Sequence, residues 1–234
     1  MSAPDGARPR NEETRAADLC WNCHDDPGRG HFCRNCSKIQ PLQDGRTDFE
    51  ILGLPRHLCL DAGSIERQYH ELARKFHPDY FRTASPLERE ISQGVASALN
   101  TAYRKIRDPI KRIETLLLIE GVNVESMKKR IPPHLMDDLF RIREEVDLVR
   151  RGGGTPENSE RLKRDRKKLA ALLAGQEETL KALSGEWDAI AETDGEKLPS
   201  AAGGVLDRLA SALSEQMYLQ TTLREIDGAL ETAA

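Results

Sequence analysis

Four of the chain's five cysteines fall within seventeen residues, as Cys20-x2-Cys23 and Cys33-x2-Cys36. Two such knuckles, nine residues apart, can bring four thiolates tetrahedrally around one metal ion. Four protein ligands close the coordination sphere and leave no position for water, which points to a structural site. Zinc is the expected ion, one per chain, and iron in the same four-sulfur cage is the alternative. The other chemistry open to these thiols is a dithiol redox pair, which normally shows a single Cys-x2-Cys near a βαβ pattern. Gly28 and Gly30 let the chain reverse between the knuckles, and Trp21 and Phe32 are placed to flank the metal as a small apolar layer. His24 and His31 are close enough to substitute as ligands but are expected to be bystanders. Cys59, in His57-Leu58-Cys59-Leu60, has no companion thiol and reads as a small buried residue.

A second constellation is His77-Pro78-Asp79. His and Asp at this spacing could serve as an acid/base pair, but no nucleophile, oxyanion donor or substrate pocket is recognisable around them, so catalysis is not expected. The plain alternative is a surface loop in which Pro78 stops a helix and Asp79 caps a turn.

The elements that hold these residues are helical throughout. Ile65, Tyr69, Leu72, Ala73 and Phe76 predict an amphipathic helix over about 64–76. Ser85, Pro86 and Glu88 predict a capping box, followed by a helix whose apolar face is Leu87, Ile91, Val95, Ala98, Leu99, Ala102 and Ile106. These two helices must pack as an antiparallel hairpin around the His77-to-Ala84 loop. A short helix follows from Asp108-Pro109 through Ile113, Leu116 and Leu117 to Gly121. Past Pro132-Pro133, three more are expected. Leu135, Leu139, Ile142, Val146 and Val149 form the stripe of the first, which the glycines at 152–154 end. Thr155-Pro156 caps the second, where Leu169, Leu173, Gln176, Leu180, Leu183, Trp187 and Ile190 have coiled-coil spacing. The third, about Val205 to Leu230, carries Leu209, Leu213, Met217, Leu223, Ile226 and Leu230.

Composition narrows the function classes. In 234 residues, 35 Lys/Arg stand against 39 Asp/Glu, a net charge of −4, and the C-terminal half carries the acidic excess. That argues against a generic grip on nucleic acid or an anionic membrane. No apolar run, that of Leu116 to Ile119 included, approaches the ~20 residues a spanning helix needs. Residues 1–18 are polar and expected to be disordered. They contain no apolar core of a secretory signal, and Asp5, Glu12, Glu13 and Asp18 make them a poor mitochondrial presequence. A bacterial cytoplasm is the expected compartment, with the mitochondrial matrix second.

Between Asp48 and Gly121 the sequence resembles a J-domain. The resemblance rests on Phe49-Glu50-Ile51-Leu52-Gly53-Leu54, the basic helix end Arg74-Lys75, His77-Pro78-Asp79, and Asn100-Thr101-Ala102-Tyr103. It extends further: Leu19-Cys20-Trp21-Asn22-Cys23 with Ile39-Gln40-Pro41, Leu54-Pro55, Asp108-Pro109 and Leu116-Leu117-Leu118-x2-Gly121 look like HscB-type co-chaperones of iron–sulfur cluster assembly. The implied fold is all-α, a J-domain helical hairpin and a C-terminal three-helix bundle or antiparallel coiled coil, preceded by a small zinc-knuckle module. The implied divisions are 1–18 disordered, 19–41 zinc module, 46–121 J-domain and 122–234 client-binding domain.

By that resemblance His77, Pro78, Asp79, Arg67, Arg74 and Lys75 dock on a DnaK- or HscA-type chaperone and stimulate its ATPase, so the chemistry occurs in the partner and the chain is no enzyme. The C-terminal domain would bind an IscU-like scaffold through Leu135, Met136, Leu139 and Tyr218. The sequence has one residue more than the family pattern before Arg143-Glu144-Glu145, so Phe140 and Ile142 compete for that docking face. Two rival functions share some of these features. A general J-domain protein would deliver unfolded clients to DnaK, and a zinc-ribbon nucleic-acid binder would use the helices only to oligomerise.

Overall fold

The computed structural model describes residues 19–28, 30–123, 132–193 and 200–232. The disorder expected of 1–18 falls outside these. Among the described residues the architecture is all-α, with no strand beyond an isolated antiparallel bridge between Phe32 and Ile39. The helices are α1 (Asp48–Leu52), α2 (Ala62–Lys75), α3 (Pro86–Ile106), α4 (Pro109–Ile119), α5 (Met136–Arg150), α6 (Pro156–Thr193) and α7 (Ser200–Thr232). Two compact units divide them: residues 1–54 with 62–105, and residues 55–61 with 106–234. The segment that resembles a J-domain is therefore shared between the units, and the second unit begins well before the Pro132-Pro133 break.

In the first unit, α1 was not anticipated as a separate helix, yet its start and stop are both written locally. Thr47 and Glu50 form a capping box, the Glu50 carboxylate accepting from Thr47 N–H at 2.9 Å and the Thr47 hydroxyl accepting from Glu50 N–H at 3.2 Å. Gly53 then turns the chain at φ 64°, and a β-carbon there would meet the Gln68 amide at 3.2 Å. The helix α2 ends as Pro78 requires. Next, Ser85 and Glu88 open α3 as predicted: the Glu88 carboxylate accepts from Ser85 N–H at 3.1 Å, and Ser85 Oγ accepts from Glu88 N–H at 3.3 Å. Antiparallel pairing of α2 and α3 is visible in two contacts far apart along them. Tyr69 stacks on Tyr103 at 4.1 Å and donates to Asn100 at 2.6 Å, while Ser92 donates to the Phe76 carbonyl at 2.9 Å. Phe49, Leu52, Ile65, Leu72, Phe76, Ile91, Val95, Leu99 and Ala102 are buried between them. Leu87, assigned to the same face, is instead exposed.

In the second unit, α7 is the central helix and contacts α4, α5 and α6. The α5 stripe is buried in full, with Leu135, Leu139, Ile142, Val146 and Val149 against Leu162 and Leu169 of α6 and Leu219, Ile226 and Ala229 of α7. Thr155 caps α6 through Asn158, and Gly152 leaves α5 at φ 74°. Two buried carboxylates here face arginine partners. Asp165 accepts both Arg141 Nη groups, at 2.8 and 3.1 Å, and Glu145 pairs with Arg161 at 3.0 Å. The fork onto Asp165 pushes the Arg141 pKa up, against the burial that opposes it.

Residues 55–61 are held in this unit by a latch that sequence patterns did not announce. Arg112 is almost fully buried and donates to the carbonyls of Leu58 at 2.6 Å, Leu60 at 3.4 Å and Ile106 at 2.7 Å. Asp188 of α6 accepts the amides of Leu58 at 2.6 Å and Cys59 at 2.7 Å, and the Trp187 indole donates to the Arg56 carbonyl at 2.9 Å. Cys59 is exposed, not buried as expected, with its backbone amide held by Asp188. Desolvation, with the nearby Asp188 carboxylate, raises its thiol pKa. Replacing Asp188 by Ala strands two amides, so a loss of about 1–3 kcal/mol is expected from denaturant midpoints. Hydrogen exchange at Leu58 and Cys59 should accelerate in the same variant, and unchanged exchange there would dispose of the latch.

Candidate functional site

The four sulfurs of Cys20, Cys23, Cys33 and Cys36 all lie within 4.8 Å of one another. Their positions follow from two copies of one backbone turn. Cys20 N–H donates to the Asp25 carbonyl at 2.8 Å and Cys33 N–H to that of Lys38 at 2.9 Å; His24 and Ser37 amides return to the carbonyls of Cys20 and Cys33. His24 and Ser37 each take the left-handed conformation, at φ 59° and 56°. Each such residue costs about 1 kcal/mol, a strain that persists only where surrounding contacts impose it. The sulfur pairs Cys20–Cys36 and Cys23–Cys33 stand at 3.6 and 3.7 Å. A tetrahedron with ~2.3 Å metal–sulfur bonds has edges of about 3.8 Å, so the four positions suit a single metal ion.

Electrostatics agree with that fit. Burial raises the Cys20 pKa, but backbone amides of Cys23 and Asn22 and the Cys36 and Cys23 thiols outweigh it, and the group settles at about 6. Cys23 accepts from the Asp25 amide, which lowers its pKa, yet burial and three thiol neighbours carry it to about 11. Four thiols at this distance resist sharing four negative charges, and a divalent cation is the group that relieves the conflict. His31 is not among the ligands: its Nε2 lies 3.2 Å from the Ile51 carbonyl, and burial, then Arg46, lowers its pKa. Phe32, next to Cys33 in the chain, stacks on Phe76 at 5.1 Å.

The His77-Pro78-Asp79 loop lies in the same unit. Asp79 N–H donates to His77 Nδ1 at 3.3 Å, which makes His77 the cap of a 3₁₀ turn over Pro78–Phe81, and the two side chains approach to 3.6 Å. Both are exposed, as are Arg67, Arg74, Lys75 and Tyr80. Arg67 Nη2 donates to Ser64 and Arg74 Nε to the His70 carbonyl. A cleft of about 270 Å³ beside the loop is lined by Pro78, Asp79, Arg82, Arg89 and Gln93, which adds two cations that sequence reasoning did not single out. Helical spacing of Arg89 and Gln93 on α3 was the available signal.

The five residues expected on the scaffold face separate. Leu135 and Leu139 are in the core of the second unit and Tyr218 packs half-buried against it. Met136 and Phe140, one turn apart on α5, are exposed by 39% and 52% and supply the accessible apolar surface.

Comparison with known proteins places these features together. No protein-family model matches the chain. It is 30% identical over 127 residues to the "Iron-sulfur cluster co-chaperone protein HscB homolog" of Arabidopsis thaliana, covering 54% of this chain and 50% of that protein. It is 37% identical over 103 residues to the "Co-chaperone protein HscB homolog" of Vibrio cholerae, covering 43% and 60%. Its homologues are HscB co-chaperones. The alignments span only half to three fifths of those proteins. The human HscB crystal structure superposes with a TM-score of 0.62 over 89% of this chain and 96% of that one at 19% identity; HscB from Vibrio cholerae gives 0.51 over 81% and 100% at 22%. The fold is thus that of HscB, and the four cysteines cluster near the N-terminal end of the sequence. Among the described residues no helix is long and apolar enough to cross a membrane.

Metal analysis of the purified protein is expected to return one ion per chain. Cys23→Ser should lose it, and metal content unchanged by that substitution would remove the site.

Proposed function

We propose that the chain is a J-domain co-chaperone of the HscB type, which binds an IscU-like iron–sulfur scaffold and stimulates the ATPase of a DnaK- or HscA-type chaperone. The observation that carries this reading is the exposed His77-Pro78-Asp79 turn at the end of a helix bearing Arg67, Arg74 and Lys75, with its flanks fixed at Phe76 and Ser85. A short, presented loop beside a cationic helix is suited to docking on an acidic partner surface, where charge sets rate and orientation. In this reading 46–121 acts as the J-domain and 122–234 as the client-binding domain. The four-thiol cluster is assigned to zinc, held as thiolates by Cys20, Cys23, Cys33 and Cys36, which supplies a cross-link between the knuckles and no reaction. Cysteines used as metal ligands fit a reducing compartment such as the bacterial cytoplasm.

On the client side, Met136 and Phe140 replace Leu135 and Leu139 as the contacts to test, because buried core residues cannot reach a partner without unfolding. Tyr218 remains a candidate through its half-exposed ring. One surface for the client and another for the chaperone on a single chain raise the effective concentration of one at the other.

His77→Gln and Asp79→Asn are expected to leave the helical content intact and abolish stimulation of the chaperone ATPase; full stimulation by either variant would sink the docking assignment. Met136→Ser with Phe140→Ser is expected to weaken scaffold binding by about 10- to 100-fold in a titration, as loss of central apolar contacts does. Unaltered affinity would move the client face elsewhere.

A further inference from the structure

The cysteine module touches the hairpin on both sides of the His77-to-Ala84 loop. On the near side, Phe76 immediately precedes His77. Its ring is almost completely buried, stacked on Phe32 at 5.1 Å and met edge-on by His31 at 4.9 Å, two residues adjoining Cys33. Its carbonyl is held from α3 by Ser92 at 2.9 Å. On the far side, Glu88 closes the capping box that starts α3 and accepts Lys38 Nζ, two residues beyond Cys36, at 2.8 Å. Between these points the loop is held by its own turn bonds, from the amides of Tyr80, Arg82 and Ala84 to the carbonyls of His77, Asp79 and Phe81.

These are few and particular contacts. A further contact reaches α1, where His31 Nε2 lies 3.2 Å from the Ile51 carbonyl, and beside these Trp21, Pro41, Leu42, Leu87, Ile91 and Val95 line a cleft of about 410 Å³ between the knuckles and α3. A module attached by broad apolar packing would stabilise the hairpin as a whole. Two of the contacts of this one bear directly on the residue before the loop and the residue that caps the helix after it.

We infer that the metal-bound cysteine module is a positioning element for the His77-Pro78-Asp79 loop, with Phe32 and Lys38 as the residues through which it acts. The knuckles can present Phe32 to Phe76 and Lys38 to Glu88 together only while a shared ion ties Cys33 and Cys36 to Cys20 and Cys23. Losing the ion frees both anchors, so the loop samples more conformations and docks on the chaperone less readily, while the second unit is unaffected. The inference rests on the co-chaperone reading for its functional consequence and on the geometry alone for the brace.

The test uses the full chain, metal-loaded, as wild type, Phe32→Ala, Lys38→Ala and Lys38→Arg, with metal content measured on every sample, and the wild type stripped by chelation. In the alanine variants that keep their ion, exchange of the Tyr80, Arg82 and Ala84 amides should accelerate by about 10-fold while that of α5 to α7 stays unchanged. Lys38→Arg should restore the wild-type rate. The concentration of chain needed for half-maximal ATPase stimulation should rise, with the maximal stimulated rate retained, because fewer molecules hold the competent loop. Loop exchange that is the same in the stripped wild type as in the loaded one overturns the brace. If the loaded wild type itself fails to stimulate, the co-chaperone reading falls, and the exchange measurements still decide the brace.

Discussion

The burial of Phe76 is the contact on which the first unit is organised. Its ring closes the apolar interior at the end of α2, receives the cysteine module through Phe32 and His31, and its carbonyl is pinned by Ser92. The next residue is the exposed His77, so the chain passes from a fully determined position to solvent in one step. Pro78 enforces the passage, since it cannot continue the helix and restricts the residue before it. A docking loop needs this arrangement: side chains free to meet a partner on a backbone that is already placed, so that less conformational entropy is lost on binding.

The second unit solves a different problem, the burial of polar backbone in a connection. Residues 58–60 adopt no helix or strand, so their amides and carbonyls require partners from elsewhere. Asp188 accepts two amides, and Arg112 donates to two carbonyls of the same stretch and to that of Ile106. Burial lowers the Arg112 pKa, and the nearby carboxylates of Asp188 and Asp108 oppose that shift. A guanidinium in such a place is tolerable because its planar fork can satisfy several acceptors at once, which a lysine could not do.

Legibility in the sequence tracked how local each determinant is. Caps at Ser85, Asp108 and Thr155, the apolar stripe of α5, the seam of α6 and the paired knuckles are all set by residues within a turn or two of one another, and their patterns can be read directly. The Arg112–Asp188 latch joins residues far apart in the chain with no periodicity to betray it, and Cys59 was misjudged for the same reason: its exposure is decided by Asp188. The stacking of Phe32 on Phe76 was not legible either, because its partner lies in another element. On α5, periodicity identified which residues are apolar and stacked, but the one-residue displacement between Leu135/Leu139 and Met136/Phe140 separates core from surface, and only packing against α6 and α7 decides it.

That inward use of side chains also bears on what the cysteine module is for. A four-cysteine ribbon that reads nucleic acid keeps its cations outward for phosphate, and its affinity depends on the counterions they release. Here Arg34 is paired with Asp26, Lys38 is engaged by Glu88, and Arg46 donates to the Gly30 carbonyl. Asp25 accepts from Asn35 at the same knuckles and keeps a further negative charge at their surface. A phosphate approaching this surface would have to displace intramolecular partners and face Asp25 and Asp26. His31, Phe32 and Lys38 are instead engaged by Phe76 and Glu88 of the hairpin, so the contacts these three make are intramolecular ones.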